Sequence, residues 1–486
     1  MCSVLFLRTR VAPSAGELER ANAYAQRRGP SATHLVRLAD GHDHELLLMH
    51  NLLDISGHGV RQPVVSGDAT AGSLEILLFN GEIYNYDPAA YDSDTAFLAA
   101  RLPGHAGMPG RALDGEYAIL HYSQARQELL VVADPFLTKP LYLGRKTGSA
   151  DFGVASYAST LRMLGFDRVE MVAPNTTVHV GFAPGEPVAR VTADGAFAFD
   201  LRQHKADFSG WEAAFLEAVR KRATHGAHPP YVNLSSGYDS GAVCLALNLL
   251  QLPYETFTIT SSEDADVIRE RVRLNGAASC HKAHVFDGVT PAERAAMTQD
   301  IATRVEPFDY EHDDGPDRRI SLQQDDGAIG VNFLAAQAQA AGFRVNISGA
   351  GADEILSDYG MNGEKIYYHS QFAGVFPESL EGFFPWRKFY GDTQRSYLFK
   401  EEFILGRHGI EGRYPFLDAA LVQEFLWLAP ALKNLEYKAP IAHFLRAHGY
   451  PFEPGVKRGF APSRERWRRR WKKTLRSWFE RLAAGA

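Results

Sequence analysis

The sequence predicts a two-domain α/β protein. Three observations lead to this prediction: the chain has 486 residues, roughly its first 180 residues are β-rich, and its second part alternates strands with helices. A chain of this length exceeds what one hydrophobic core usually holds, so two domains are the natural expectation.

The first part contains short apolar runs separated by turn residues, which is the pattern of strands. The predicted strands are Glu45 to Met49, Leu74 to Phe79, Tyr117 to Tyr122, and Leu129 to Val132. A stretch rich in proline, glycine and alanine follows and has no clear period. We therefore place the first domain at residues 1–185, a linker at 186–207, and the second domain at 208–486.

The second part has a different periodicity. Residues Trp211 to Thr224 show helical spacing. The elements expected next are a strand at Tyr231 to Leu234, a helix at Gly241 to Leu250, a strand at Thr256 to Thr260 and, later, a strand at Phe343 to Ile347. Strands that alternate with helices predict a parallel sheet.

Composition argues against several classes of protein. The formal net charge of −7 and a sequence pI near 6.2 disfavour a nucleic-acid partner. Three cysteines are too few for a disulfide-stapled secreted fold, which favours a cytoplasmic location. No apolar run is long enough for a membrane span, and the apolar start precedes Arg8 and Arg10, the reverse of a signal peptide.

The histidines give little support for a zinc site. His225 with His228, and His281 with His284, come nearest to ligand spacing, but no partner pair follows elsewhere. We interpret them as ordinary surface or helix residues.

A glycine- and serine-rich turn at residues 234–240 lies between a predicted strand and a predicted helix. Small residues there allow backbone N–H groups to approach a phosphate. Asp239 would repel that phosphate unless a cation lay between them, so Mg²⁺ is implied. A plain turn capped by serine or aspartate explains this segment equally well on its own.

A second turn, at residues 348–354, also follows a strand and also carries an acid, Asp353. In an open α/β sheet, ligands bind at the carboxyl ends of the strands. Two such turns, each with a carboxylate, predict one shared site for magnesium triphosphate, and the pair is more specific than either turn alone.

At these residues the chain resembles the asparagine synthetase family. The first turn is similar to the family's pyrophosphatase loop, with Ser236 in place of a glycine, and the second matches the family's Ser-Gly-x-Gly-x-Asp-Glu. Residues 409–418 and 457–460 resemble two further family blocks, in the family's order.

The first part resembles the same family. The segments that carry this resemblance are Cys2, 28–30, 80–85, 93–94, 113–118 and 134–142, the last with Leu137 in place of a glycine. The resemblance implies a class II glutaminase domain of the N-terminal-nucleophile type, with an α/β/β/α fold, followed by an ATP-pyrophosphatase domain with a parallel sheet.

For the first domain, the resemblance implies a thiol nucleophile at Cys2. If Cys2 is the N-terminal residue, its own α-amine can accept the thiol proton. Asn80 and the Gly81 N–H would form the oxyanion hole. Glu82 and Asp94 would bind the α-ammonium of glutamine.

For the second domain, the resemblance implies ATP and Mg²⁺ as cofactors. Asp239 and Asp353 would hold the metal, and Lys457 would stabilise charge on the α-phosphate. Lys438 matches a second family lysine and is a weaker candidate. The expected ATP-binding residues are Leu234, Ser235, Gly237, Asp239, Ser240, Ile259, Ser348 and Gly349.

Two positions depart from the family pattern. Leu52 stands where the family has an arginine for the glutamine α-carboxylate, and loss of such a contact typically costs roughly 1.5–3 kcal/mol. Ala350 stands where asparagine synthetases carry glutamate and β-lactam synthetases carry tyrosine, so Glu411 is left as a candidate proton acceptor.

The leading prediction is a glutamine-hydrolysing, AMP-forming amidotransferase whose acid substrate is aspartate or a carboxylate of specialised metabolism. Its partners would be small molecules, and a homodimer is compatible with the resemblance. The first alternative is an ATP-dependent ligase or cyclase that uses an amine nucleophile and has a silent glutaminase domain. The second is a non-catalytic scaffold.

Overall fold

Two six-stranded antiparallel sheets form the first domain in the computed structural model, which describes residues 2–40, 43–55, 59–101, 113–182, 190–195, 197–310, 320–356, 360–361, 364–365 and 375–456. The strands are β1 (Ser3–Thr9), β2 (Ala32–Ala39), β3 (Glu45–Leu52), β4 (Val64–Ser66), β5 (Glu75–Ile83), β6 (Gly115–Ser123), β7 (Glu128–Ala133), β8 (Tyr142–Arg145), β9 (Phe152–Ala155), β10 (Arg168–Met171), β11 (Thr176–Gly181) and β12 (Arg190–Gly195). One sheet has the order β10-β8-β9-β1-β3-β2 and the other β12-β11-β7-β6-β5-β4.

The sheets pack face to face because their strands are apolar on both faces. Along β5, Ile76 and Leu78 join the core shared with the first sheet, whereas Leu77 and Phe79 pack on the opposite side. The helices of this domain are α1 (Ala15–Asn22), α2 (Ala25–Arg28), α3 (Asp94–Arg101) and α4 (Ala158–Met163). Helix α3 covers the second sheet and the other three cover the first, which confirms the expected α/β/β/α fold.

The predicted strands of the first domain overlap β3, β5, β6 and β7. Strand β12 lies inside the predicted linker 186–207 and pairs with β11 over its whole length. The second sheet therefore continues into that segment.

A parallel five-stranded sheet forms the centre of the second domain. Its strands are β13 (Tyr231–Asn233), β14 (Tyr254–Ile259), β15 (Cys280–Phe286), β16 (Val345–Ile347) and, after a hairpin of β17 (Gly360–Met361) and β18 (Glu364–Lys365), β19 (Glu411–Arg413). The helices are α5 (Ser209–Thr224), α6 (Tyr238–Leu249), α7 (Ala265–Ala278), α8 (Pro291–Arg304), α9 (Asp326–Ala340), α10 (Ala352–Leu356), α11 (Arg387–Tyr390), α12 (Thr393–Arg407), α13 (Ala419–Trp427), α14 (Pro430–Lys433) and α15 (Ala439–Ala447). The elements expected from the sequence overlap α5, β13, α6, β14 and β16.

The strand order β15-β14-β13-β16-β19 reverses between β13 and β16. A reversal of this kind opens a crevice at the carboxyl ends of the two strands. The turns at 234–240 and 348–354 leave β13 and β16 at this edge. They are in close contact, since a Cβ added to Gly349 would lie 2.7 Å from the Cβ of Asp239.

None of the helices in the described segments is both long and apolar enough to cross a membrane.

Candidate active sites

The first candidate site begins at Cys2, which precedes β1 and is half-buried. The guanidinium Nε of Arg28 donates a hydrogen bond to the Cys2 carbonyl at 2.8 Å, which fixes the backbone. Burial raises the pKa of the Cys2 thiol, although a backbone contact from Leu53 opposes this effect. The thiol therefore needs a base before it can act as a nucleophile.

Asn80 and Gly81 lie near the end of β5. The Asn80 side chain is fully buried, and neither polar atom of its amide has a hydrogen-bond partner among the described residues. Buried amides are rarely left unsatisfied, so this group fits a ligand that supplies the missing contacts. Gly81 has a φ of +133°, and an added Cβ would lie 1.9 Å from the Glu116 carbonyl oxygen. Only glycine fits there.

Glu82 and Asp94 converge, as the sequence predicts, but a third residue joins them. His225 is the residue that caps the carboxyl end of α5 in the second domain, and its Nε2 lies 2.6 Å from the Glu82 Oε2. One donor atom from each of the three side chains lies within 4.8 Å of the others. Burial and the Glu82 charge raise the pKa of Asp94 to about 7. Although burial opposes it, Glu82 raises the pKa of His225 above its ordinary value.

Leu52 is the last residue of β3 and presents no charge where the family has an arginine. Arg61, the nearest candidate replacement in the sequence, is exposed, and no ion pair joins it to a described residue. Arg61 is therefore not positioned by any described ion pair to replace the family's arginine.

The second candidate site lies at the reversal of the parallel sheet. Asp239 and Asp353 are held together by the ammonium of Lys438, whose Nζ lies 2.6 Å from Asp239 Oδ1 and 3.0 Å from Asp353 Oδ1. The Tyr437 hydroxyl also donates to Asp353, at 2.8 Å. Although burial opposes it, the two carboxylates hold the pKa of Lys438 above its ordinary value. Asp239 and Asp353 lie in the first turns of α6 and α10, and carboxylate oxygens are the donors that Mg²⁺ prefers, so these residues fit the implied metal.

The first turn is ordered by its own serines. Ser240 Oγ accepts a hydrogen bond from the Ser235 N–H at 3.0 Å and lies 2.7 Å from the Ser235 hydroxyl. Gly237 precedes the first turn of α6, whose N-terminus favours an anion. Ser236, which replaces a family glycine, donates both its N–H and its hydroxyl to Glu263, and the hydroxyl accepts the N–H of Asp264, the residue before α7.

Two of the expected ATP contacts are deep in the core. Leu234 follows β13 and is 2% exposed, and Ile259 is the last residue of β14 and is 1% exposed. In the second turn, the Ser348 hydroxyl accepts the Ala350 N–H at 3.1 Å, and Gly349 lies against Asp239. The adenosine and phosphate roles of these residues stay predictions.

Glu411 lies on β19 in the interface between the domains. Its Oε1 accepts the Arg413 Nε at 2.6 Å, and its charge contributes to the raised thiol pKa of Cys2. Burial opposes ionisation, but Arg413 and Lys139 hold the pKa of Glu411 well below its usual range. The carboxylate is therefore a weak base in this conformation. Lys457 lies outside the described residues.

A set of buried ion pairs joins the domains, which we name the interface network: Arg28, Glu116 and Lys139 of the first domain, and Arg222, Glu402 and Asp418 of the second. Arg28 Nη2 and Glu402 Oε2 are 2.5 Å apart, and neither side chain has exposed surface. Arg222 lies 2.6 Å from Glu116 and 2.7 Å from Asp418. The two candidate sites therefore belong to one packed unit.

Sequence reasoning missed His225 and undervalued Lys438. No sequence motif predicts that a single histidine at the end of a helix contacts Glu82. Lys438 did have a signal, since it lies in a segment that resembles the family, but only the fold shows that it meets both acids.

Comparison with known proteins supports the same two-part organisation. Residues 1–174 match the family model of the glutamine amidotransferase domain, and residues 210–382 match that of asparagine synthase. Together these matches cover well over half of the chain.

The relatives are distant. A putative glutamine-hydrolysing asparagine synthetase of Mycobacterium tuberculosis is 25% identical over 399 residues, which covers 72% of this chain and 57% of that protein. The chain thus matches little more than half the length of that relative. The glutamine-hydrolysing asparagine synthetase 1 of Saccharomyces cerevisiae is 23% identical and covers 81% of this chain and 70% of that protein.

Among solved structures, the glutamine phosphoribosylpyrophosphate amidotransferase of B. subtilis covers 58% of this chain and 80% of its own, at 13% identity and a TM-score of 0.32, which is too low to support a conclusion. The two family models and the curated relatives agree with the motifs and with the two-domain architecture. The chain belongs to the asparagine synthetase family.

Proposed function

We propose that this protein is a glutamine-dependent, AMP-forming amidotransferase. One observation carries the proposal: Asp239 and Asp353, from turns far apart in the sequence, meet on one cation at the reversal of a parallel sheet. A ligand crevice is expected there, and the family to which the chain belongs uses ATP.

In the second site, a carboxylate substrate would attack the α-phosphate of ATP and release pyrophosphate, which leaves an acyl-adenylate. Mg²⁺ held by Asp239 and Asp353 would neutralise triphosphate charge. The N-terminus of α6 and the hydroxyls of Ser235 and Ser240 would bind the leaving pyrophosphate. Ammonia would then attack the acyl carbon, form the amide and release AMP.

In the first site, the Cys2 thiolate would attack the side-chain amide of glutamine. Ammonia would leave, a thioester would form, and water would release glutamate. The unsatisfied amide of Asn80, with the N–H of Gly81, would stabilise the oxyanion.

The acid substrate is either aspartate or a carboxylate of specialised metabolism. Ala350 bears on this choice, because its methyl group cannot handle the proton that leaves the attacking nitrogen. Glu411 is bound to Arg413 and is a poor substitute as it stands. These two facts favour a product other than asparagine.

The experiment measures two products in parallel. ATP-dependent pyrophosphate release is followed with a panel of carboxylic acids that includes aspartate, and glutamate release from glutamine is followed in the wild type and in Cys2→Ala. Asp239→Asn is the control for the second site. We expect acid-dependent pyrophosphate release that fails in Asp239→Asn, and glutamate release that fails in Cys2→Ala. Folded protein that forms neither product would overturn the proposal and favour a scaffold.

The second candidate is an amide ligase or cyclase with an amine nucleophile. It is favoured by the apolar Leu52 and by His225 at the predicted ammonium subsite. Pyrophosphate release that persists in Cys2→Ala, with no glutamate release from the wild type, would support it.

A further inference from the structure

The predicted ammonium subsite of the first domain already contains the imidazole of His225, whose pKa Glu82 raises. His225 reaches across from the carboxyl end of α5 and bonds Glu82 through Nε2 at 2.6 Å. Asp94, the other acid predicted to bind the glutamine ammonium, lies within the same 4.8 Å cluster. Glu82, one of the two acids that glutamine would need, is thus already paired with a side chain of the protein itself.

Several contacts fix the position of the imidazole. The rings of Tyr84 and Tyr86 meet it edge-on, with centroids 5.3 and 5.9 Å away. The His225 carbonyl accepts a hydrogen bond from Arg413 Nη1 at 2.7 Å, and another nitrogen of Arg413 lies 3.5 Å from Glu82. A histidine held on both sides by side chains of two domains differs from an ordinary surface ion pair.

An imidazolium and an α-ammonium offer the same chemistry to the Glu82 carboxylate. Each carries one positive charge and donates N–H hydrogen bonds, and each satisfies Glu82 directly. One Glu82 oxygen lies 2.6 Å from His225 and the other lies 3.5 Å from Arg413, so both oxygens already face a cationic side chain. An α-ammonium at Glu82 would therefore compete with His225 for this carboxylate.

We propose that His225 occupies the ammonium subsite and competes with glutamine for Glu82 and Asp94. This inference rests on the proposed function, because it assigns glutamine to the first site. Glutamine binds only when the carboxyl end of α5 releases Glu82, so His225 determines how strongly the first domain takes its amide donor.

A divalent cation is the rival occupant of the same three side chains. Zinc ligands at about 2.0 Å from a tetrahedral ion lie more than about 3 Å from one another. The distance of 2.6 Å between His225 and Glu82 is instead that of a direct hydrogen bond. The metal is therefore treated as an outcome of the test.

The test uses the diazoketone analogue of L-glutamine (diazo-oxo-norleucine), which binds as glutamine does and alkylates a site thiol with loss of N₂. Full-length wild type, His225→Ala, His225→Gln and the neighbouring control His228→Ala are incubated over a range of analogue concentrations. Labelling of Cys2 is followed by intact-protein mass spectrometry on chains that have lost Met1. Iodoacetamide, which needs no ammonium subsite, reports thiol reactivity in the same samples.

We expect half-maximal labelling of His225→Ala at a concentration at least about tenfold lower than for the wild type, because a charge-assisted competitor is gone. His225→Gln should lie between them, His228→Ala should match the wild type, and iodoacetamide rates should be equal. Equal analogue affinity in the wild type and His225→Ala, or weaker binding in the variant, overturns the inference and leaves the proposed function intact.

Two further outcomes can be told apart from equal analogue affinity. If iodoacetamide labels every protein and the analogue labels none at any concentration, the assignment of glutamine itself fails. If zinc protects wild-type Cys2 at stoichiometric concentration and EDTA reverses this, while His225→Ala is unprotected, the three side chains form a metal site and the inference is wrong.

Discussion

Replacing Lys438 with methionine removes the ammonium that joins Asp239 and Asp353. The lysine is 3% exposed, whereas the two carboxylates are 25% and 19% exposed, so solvent weakens the pairing only in part. Loss of one partner of a buried pair costs about 3–5 kcal/mol, and partial exposure of the acids reduces this to about 2–3 kcal/mol. We expect the free energy of unfolding of Lys438→Met to fall by that amount without magnesium.

Magnesium should reverse most of this loss. In the wild type, Mg²⁺ must displace an ammonium from Asp239, whereas in Lys438→Met it meets two carboxylates that have lost this ammonium. The stabilisation that a ligand gives grows with its concentration relative to its dissociation constant. Millimolar Mg²⁺ should therefore stabilise the variant more than the wild type.

The assay is urea unfolding followed by tryptophan fluorescence, with and without MgCl₂. Lys433→Met is the matched control: this lysine is also buried, and its Nζ bonds Gln203 and the Leu426 carbonyl rather than a carboxylate. Neither of these partners is Asp239 or Asp353, so the removal of Lys433 should leave the magnesium effect unchanged. A loss below about 0.5 kcal/mol in Lys438→Met, or equal magnesium effects in all three proteins, would refute the reasoning.

Three further outcomes follow from buried groups. Arg28→Met should lose about 3 kcal/mol of stability in the same urea assay, the lower end of the range for a broken buried pair, because Glu402 then keeps Lys139 as its cationic partner; a loss below about 1 kcal/mol would contradict this. Gly81→Ala should lose at least about 2 kcal/mol of stability, because the added Cβ would collide with the Glu116 carbonyl oxygen and the residue has a positive φ. A variant as stable as the wild type would show that the backbone moves to accommodate the methyl group. Folded Asp94 holds its proton up to about pH 7 while an unfolded aspartate releases it near about pH 4, so its contribution to stability falls as pH rises between these values. The stability of Asp94→Asn should lack that slope, and parallel pH profiles of variant and wild type would exclude it.

Local chemistry predicted the two turns and the elements β3, β5, β6, β7, α5, β13, α6, β14 and β16. Apolar runs bounded by turn residues can be recognised within a single segment of the sequence. The carboxyl ends of parallel strands lie at the same edge of a sheet, so the sequence alone predicted that Asp239 and Asp353 share one site. The three-residue strand β19 was too short to carry a period, and β12 lies in a segment whose composition resembles a linker.

The contacts that bind the halves together could not be predicted this way. Arg28 and Glu402 are separated by 374 positions, and neither local sequence contains a pattern that predicts their pairing. The contact between His225 and Glu82 could not be predicted from the sequence either, because the two residues belong to different domains. Leu137 shows a different limit: it takes a left-handed φ of 52° where the family has glycine, so the turn persists although its usual residue is gone.

The interface network restricts how far the two halves are modular. Either half expressed alone would expose ionised side chains that have lost partners in the other half, amid apolar surface that the intact chain covers: Arg28, Glu116 and Lys139 in the first half, and Arg222 and Glu402 in the second. A chimera with one half from a distant relative would meet the same difficulty unless its charges matched at all the paired positions. Exchange of halves among relatives is therefore constrained by these pairs, and Arg28 and Glu402 are expected to change together or not at all.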